Sequence, residues 1–298
     1  MRDCLASLRA QSRRCDRILV IDNASTDGTA EMLSSLADDQ VTAYCLPNNI
    51  GAAGGYNAGM RFAYEMGADF IWAMDDDVIA DPDALERLLS ATDILQARDL
   101  KAPFVISTAR SVDGAIAETP EIDKRPNSIS YERWSELLEH KMVPVTRSTF
   151  LSILLPRTTL QQYGLPLASM FIWGEDSDYT FRITSKEPGW LVGDSRVVHI
   201  RVLASRLDIR TESNPDRIRY HFYHLRNDVY LKRRFDTPRA IARQVRKQIK
   251  LALQLCLRGD FSRAKIVLQG TLAGMRFNPV IEAADAPFDR TGIRVITS

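Results

Sequence analysis

Residues 70–78 read FIWAMDDDV, an apolar run that ends on three consecutive carboxylates, Asp75, Asp76 and Asp77. The run over 70–74 has the length and composition of a buried strand. Its ending asks for an explanation. Two carboxylates about 4 Å apart at an effective dielectric near 20 repel by roughly 4 kcal/mol, so three together call for a positive charge beside them. Asp75 and Asp77 have the spacing to bind a hard divalent cation. Mg2+ and Mn2+ take oxygen ligands, commonly one or two carboxylates completed by substrate phosphates. By itself the triplet also fits a solvated acidic turn, because Asp81-Pro82 just beyond it is a good helix start.

Working outward, RILVI (17–21) reads as a buried strand that ends at Asp22. Residues 25–28 form a turn that caps a helix over 29–36. A second strand follows over 41–46, then a glycine-rich loop over 48–55 and a helix through Met60 and Tyr64. After the 70–74 strand and a helix from Asp81 to Arg98, a fourth strand falls at 104–109. Before all of these, Leu5, Leu8 and Gln11 keep helical spacing. Strands alternating with helices at this spacing predict an α/β fold with a mostly parallel sheet covered on both faces. Ligands of such sheets collect at the carboxyl ends of the strands. Asp22, the 48–55 loop and Asp75–Asp77 should therefore face one cleft.

Residues 110–147 are polar and weakly patterned, an excursion with a short helix near 131–139. Residues 148–155 are strand-like, WGEDSDYTFRI (173–183) opens a helix, and 190–200 returns as a strand pair. From Tyr220 the chain turns helical and basic. This divides it into an α/β domain over 1–219, where any catalytic site is expected, and a helical basic region over 220–298.

Composition narrows the function. The 298 residues are 45% hydrophobic and 26% charged, ordinary for a globular protein, and a formal net charge of +1 gives no global argument for nucleic acid. The four cysteines, Cys4, Cys15, Cys45 and Cys256, form no CxxC pair and suit neither a zinc site nor a disulfide framework, so a reducing compartment is expected. MRDCLASLRAQSRRC lacks the apolar core of a signal peptide, and no stretch has the length and apolarity of a bilayer span.

A second acidic cluster raises the weight of the first. Glu175, Asp176 and Asp178 surround a helix start beside Trp173. The helix dipole and capping account for one carboxylate there, but not readily for three. One of them could act as general base on an acceptor hydroxyl. His199 ends the apolar strand in RVVHIR. A lone histidine there is usually structural, yet beside a metal it would be a nitrogen ligand.

IDNASTDGT (21–29), PNNIGAAGGYNAGM (47–60), WAMDDDV (72–78), WGEDSDYTFR (173–182), PGW (188–190) and VVHIR (197–201) occur in an order that resembles family 2 glycosyltransferases of the GT-A fold. Within them the chain looks like bacterial rhamnosyl- and galactofuranosyltransferases of cell-surface polysaccharide synthesis. The likeness spans residues 3–235. It implies that Asp22 contacts the nucleotide base or ribose. Asn49, Gly51, Gly54, Gly55 and Asn57 would line the sugar-nucleotide pocket, where glycines let backbone N–H groups approach a ligand. Asp75 and Asp77 match the DXD ligands of Mn2+ or Mg2+, with Asp76 toward ribose or sugar. His199 matches a histidine that completes the metal site, and Asp176 matches the catalytic base. Trp173 and Glu175 would meet the acceptor. The reaction implied is inverting, from a UDP-galactofuranose or dTDP-rhamnose type donor to a glycan or polyprenyl-linked acceptor. One departure stands out. Family members begin with a strand that walls the base pocket, whereas MRDCLASLRAQ matches the helix after it, so the sheet is expected to lack that strand.

In the last third, Ile241, Val245, Ile249, Leu253 and Leu257 recur at helical spacing, with Arg243, Arg246, Lys247 and Lys250 among them. Such a helix suits either an anionic membrane surface or packing with a solvated basic face. The expected location is cytoplasmic, with peripheral contact at the inner face of the plasma membrane. Two other readings stay open: another metal-dependent nucleotide enzyme, such as a nucleotidyltransferase or phosphohydrolase, or a truncated remnant without activity. A nucleotidyltransferase should carry a basic glycine-rich phosphate loop near its N-terminus, and none is seen. RNA is disfavoured, since no RNA-binding signature accompanies the basic residues.

Overall fold

The computed structural model describes residues 1–200 and 207–297. Its elements in chain order begin with α1 (Arg2–Arg9), β1 (Ile18–Asp22), α2 (Thr29–Leu36), β2 (Val41–Cys45) and α3 (Gly51–Glu65). Next come β3 (Phe70–Ala73), β4 (Val78–Ala80), α4 (Ala84–Ala97), β5 (Val105–Ser111), β6 (Glu121–Ile122), β7 (Met142–Arg147) and β8 (Ile153–Pro156). The chain continues through α5 (Arg157–Tyr163), α6 (Glu175–Thr184), β9 (Gly189–His199), α7 (Pro215–Phe235), α8 (Pro238–Leu257), α9 (Phe261–Arg276) and β10 (Arg294–Ile296).

The α/β class holds, but the pairing is mixed. Among the described residues only β1–β2 and β5–β9 run parallel, and the larger sheet has the order β3-β8-β5-β9-β7-β6 with β4 on the end of β9. The reason lies in the 112–152 segment, which contains no α-helix among the described elements. A parallel return needs a crossover of a dozen or more residues, usually a helix, so β7 and β8 come back antiparallel. The expected strand pair over 190–200 is one eleven-residue strand, β9, whose register against β5 shifts between Ser107 and Thr108.

Alternation along the strands divides two cores. Ile106, Ile153 and Leu155 face a cluster with Met60, Phe104, Tyr179 and Ile183, under α3 and α6. Val105 and Leu154, their neighbours in sequence, face Leu85, Leu88, Leu95 and Trp190, under α4. A third cluster joins Cys4, Leu5 and Leu8 of α1 to Ile18, Leu33 and Val41.

Two helix starts differ from expectation. The Asp81-Pro82 start falls short of α4, where the Gln11 side chain accepts from Leu85 N at 3.0 Å and caps the helix from outside. The 48–55 loop is largely helix, because α3 begins at Gly51. Asn23 Oδ1 accepts from Ile50 N, and Asn49 Oδ1 accepts from Gly51 N at 2.8 Å. Gly51 has φ +76°, and a Cβ there would lie 2.1 Å from the Phe171 carbonyl oxygen. Its lack of a side chain lets the turn before α6 dock on α3, with Ala53 N donating to Phe171 O at 3.0 Å. Gly51→Ala should therefore lower stability by about 2 kcal/mol, from left-handed backbone strain plus a backbone clash. A urea melt of the variant checks it, and an unchanged midpoint would contradict this account.

The basic region is helical over α7 to α9, from Pro215 to Arg276, and starts five residues before Tyr220. Asn214 caps α7 and Thr237 caps α8, each with proline in the first turn. Residues 277–297 are not a helical continuation. They fold back on the first domain, where Glu282 pairs with buried Arg61 at 2.8 Å and β10 adds antiparallel to β2.

Candidate active site

The carboxylates gather because three element ends meet. The β3–β4 turn carries Asp75–Asp77. Strand β9 ends beside it, since Val78 pairs with His199, and Ile200 N donates to Asp77 O at 2.8 Å. Helix α6 starts at Glu175, and its turn is tied to α3 through Phe171.

At the β9 end, Asp77 Oδ2 lies 3.3 Å from His199 Nε2, while Asp77 Oδ1 is buried without a hydrogen-bond partner. The histidine's hydrogen bond holds Asp77 below the usual carboxylate range, and the same bond raises His199. Asp75 Oδ1 accepts from the Tyr56 hydroxyl at 2.5 Å. Burial nevertheless pushes Asp75 up to about 6, against the Tyr56 bond and with help from the charge of Asp77. Asp76 is exposed.

Across from them, Glu175 is buried and its Oε2 has no partner. Burial, then the neighbouring Asp176, pushes it up to about 8. Asp176 is half-buried and accepts from Ser177 N at 2.5 Å. Burial raises it too, while the Ser177 amide and Arg147 pull it down. The charge of Asp75 acts on Glu175, and that of Asp176 on Asp75, so the two acidic groups share one site. The third acid of the cluster goes elsewhere. Asp178 is buried against Arg182 at 3.2 Å and accepts from the Tyr230 hydroxyl at 3.2 Å, which holds α6 on α7.

The turn before α6 bends through positive φ at Phe171, Trp173 and Gly174. Such backbone persists only when its surroundings fix it. Asn227 of α7 donates to the carbonyls of Met170, Ile172 and Trp173 at 3.0, 3.1 and 2.9 Å, and Arg226 donates to those of Ser169 and Met170. The Trp173 ring faces His221 and His224 at 5.5 and 5.9 Å.

The Asn49–Asn57 segment divides. Gly55 faces open space, and Asn49 is exposed beyond its bond to Gly51. Gly51 and Gly54 are used for close packing, on Phe171 and Ile50. Asn57 is buried on the opposite side, donating to Pro166 O and Glu282 Oε2 at 2.8 and 2.7 Å, so the cleft-lining role expected for it is not supported. Asp22 is buried at the end of β1 and accepts from Ser25 N at 3.0 Å. The motif VVHIR closes on Arg201, which lies outside the described residues.

Residues 1–110 match the family model described as glycosyl transferase family 2. The chain is 28% identical over 181 residues to galactofuranosyltransferase GlfT1 of Mycobacterium tuberculosis, 59% of this chain and 57% of that protein. It is 33% identical over 105 residues to an undecaprenyl-phosphate mannosyltransferase of Micrococcus luteus, 35% of this chain and 40% of the other. The chain thus spans 57% of the galactofuranosyltransferase's length. A crystal structure of GalNAc-T7 with UDP, GalNAc and Mn2+ superposes with a TM-score of 0.50 at 15% identity, over 76% of this chain and 47% of that one. The shared architecture is the GT-A fold.

The donor set bears on a metal. Among the described residues no group of three or more His, Cys, Asp or Glu side chains is gathered to hold an ion by itself. Asp77 with its orphaned oxygen and His199 beside it fit a hard divalent cation that brings other ligands with it, such as diphosphate oxygens, with Asp75 on the same turn.

One residue of the site, Tyr56, carries no signal of its own in the sequence. Tyr56 sits beside the Asn57 that was chosen, and only the helical register of α3 shows which of the two faces Asp75. Arg226 and Asn227 lie in the 220–235 stretch, where the family resemblance implies a Tyr/Arg-Asn segment packed on a helix; their bonds to the turn before α6 have no sign in the sequence.

Proposed function

We propose that this chain transfers a sugar from a nucleotide-diphosphate donor, of UDP-galactofuranose or dTDP-rhamnose type, to a glycan or lipid-linked acceptor in cell-surface polysaccharide synthesis, on the cytoplasmic side. One observation supports the reading: the Asp77–His199 pair adjoins Asp75, whose charge acts on Glu175 and which feels the charge of Asp176. The named relatives, a galactofuranosyltransferase and a mannosyltransferase, support the reaction class.

Asp75, Asp77 and His199 would hold Mn2+ or Mg2+, which when bound neutralises the charge of a diphosphate leaving group. Asp176 takes the proton of the acceptor hydroxyl. The freed oxygen forms its bond to the anomeric carbon on the face opposite the diphosphate, whose bond to that carbon breaks, and configuration inverts. Asp176 is the half-buried member of its pair and can be reached, and its raised basicity suits a general base. Glu175 is sealed and holds its proton near neutrality. Asn227 and Arg226 fix the turn that aims Trp173 at the acceptor.

The reading is tested by melting the protein with UDP or dTDP, each with and without Mn2+, alongside Asp77→Asn. At 100 times Kd a ligand adds about 2.7 kcal/mol to the native state. A metal-dependent upward shift that Asp77→Asn abolishes is expected, and the preferred nucleotide narrows the donor. No shift with either nucleotide, in a chain that melts cooperatively, would remove the donor site.

A further inference from the structure

Helices α8 and α9 carry large apolar residues on their outer faces as well as their inner ones. Their inner surface, against Leu225 of α7, buries Leu255 and Val267 among small or polar side chains: Ala252 and Gln248 from α8, Ala264 and Thr271 from α9. Gly270 and Gly274 lie so close to α7 that a Cβ would fall within 3.0 Å of it. Other large apolar residues point outward. Leu253, Leu257 and Phe261 are 60%, 90% and 69% exposed, and Leu268, Leu272 and Met275 are exposed as well. On α9, Phe261, Leu268, Leu272 and Met275 share one stripe at i, i+7, i+11 and i+14. Met275 lines a shallow groove with Ile241, Val245 and Ile249 of α8, so the apolar surfaces of the two helices meet. Contiguous exposed apolar surface of this kind marks an interaction site.

Charge says with what. Between Pro238 and Arg276 the sequence holds nine Lys and Arg and one acid, Asp260. Asp260 is paired with Arg263 at 2.8 Å. Among the described residues none of the other eight cations is in an ion pair, and Arg246, Lys250, Lys265 and Arg276 border the apolar stripes. Two such faces brought together would repel. An anionic lipid headgroup layer over an acyl interior matches both halves of the pattern, because long cationic side chains reach headgroups while leucines enter the boundary. No helix among the described residues is long and apolar enough to cross a membrane, so the contact lies in the plane of the surface.

We propose that the outer face of α8 and α9 docks on an anionic lipid bilayer. The docking stands on this face alone, whereas its consequence for the acceptor rests on the transferase reading. Arg233 of α7 donates to Gly274 O and Phe277 O, both at 2.9 Å, and Asn227 of the same helix clamps the Trp173 turn. Surface contact and acceptor side are therefore joined by one helix, which suits an acceptor held in the membrane by a lipid.

The test is cosedimentation of the full chain with phosphatidylcholine vesicles and with mixed phosphatidylglycerol–phosphatidylcholine vesicles. Binding to the anionic vesicles should exceed binding to the neutral ones by about tenfold or more and fall with salt. Leu253→Glu with Leu272→Glu, at exposed positions, should cut it by about tenfold or more. Arg246→Gln with Lys250→Gln, which spares the apolar stripe, should weaken it and flatten its salt dependence. Circular dichroism and a melt verify that both variants fold. Equal binding by the leucine variant, or no binding to either vesicle, overturns the proposal. So does a soluble dimer that the leucine variant converts to monomer, which would assign the face to a second copy. The UDP and Mn2+ melt shift, measured on the leucine variant, separates the two readings. A kept shift with lost vesicle binding supports both, and vesicle binding by a chain that shows no shift leaves the docking and removes the transferase.

Discussion

Asp176→Asn is expected to lower the rate of sugar transfer by about a thousandfold while leaving the Mn2+-dependent nucleotide shift in place. The amide keeps the shape and the bond from Ser177 N but cannot take the acceptor proton. A positioned general base contributes roughly 10²- to 10⁴-fold, which sets the size. The choice of Asp176 over its neighbour rests on access and protonation. Glu175 is the more deeply buried, and burial holds it protonated to about pH 8. A carboxyl already carrying its proton at neutral pH cannot accept another. Asp176 is open on one side and has the Ser177 amide and the Arg147 charge to favour its ionised form. Removing the Asp176 charge also relieves its repulsion of Asp75, so the variant should melt no lower than wild type. Nucleotide diphosphate release, measured with saturating donor and acceptor, checks the rate. A variant within tenfold of wild type would move the base to another residue.

Much of the site was legible because its chemistry is written in adjacent residues. The DDD turn ends an apolar run, the GEDSD segment opens a helix, and both survive folding as element ends. What pairs with them was less visible. His199 reaches Asp77 only through the β4–β9 register, which no local pattern specifies. Tyr56 was hidden by reading residues 48–55 as a loop. Once α3 starts at Gly51, positions 56 and 57 point about 100° apart, and one faces Asp75 while the other faces Glu282. Asn227 carries a local signal of the opposite kind, since a polar residue at a buried helix position needs partners. It becomes informative only when those partners are three carbonyls of a strained turn. The mixed sheet had its clue in the helix-free 112–152 stretch, where a crossover could not form.

Glu175→Gln should make the protein's stability less sensitive to pH, with the gain over wild type growing from pH 5 to pH 8. In the folded chain burial raises Glu175 from 4.5 to about 8. Between those values the unfolded chain has released the proton and the folded chain still holds it. The folded state thus binds more protons, and stability falls as pH rises, by about 1.4 kcal/mol per pH unit for one full proton. The contribution is complete below pH 4.5 and is lost on the way to pH 8. Glutamine does not titrate, so the difference between variant and wild type must climb through that window and flatten above it, reaching on the order of several kcal/mol. The buried amide has a cost of its own, about 1–3 kcal/mol if its N–H groups find no partner. That cost is the same at every pH and shifts the curve without tilting it. Asp75 titrates in both proteins and cancels in the difference. Urea melts at pH 5, 6.5 and 8, without metal or nucleotide, supply the comparison. Two parallel stability curves would mean that Glu175 is ionised in the folded state, and the case for Asp176 as the sole base would weaken with it.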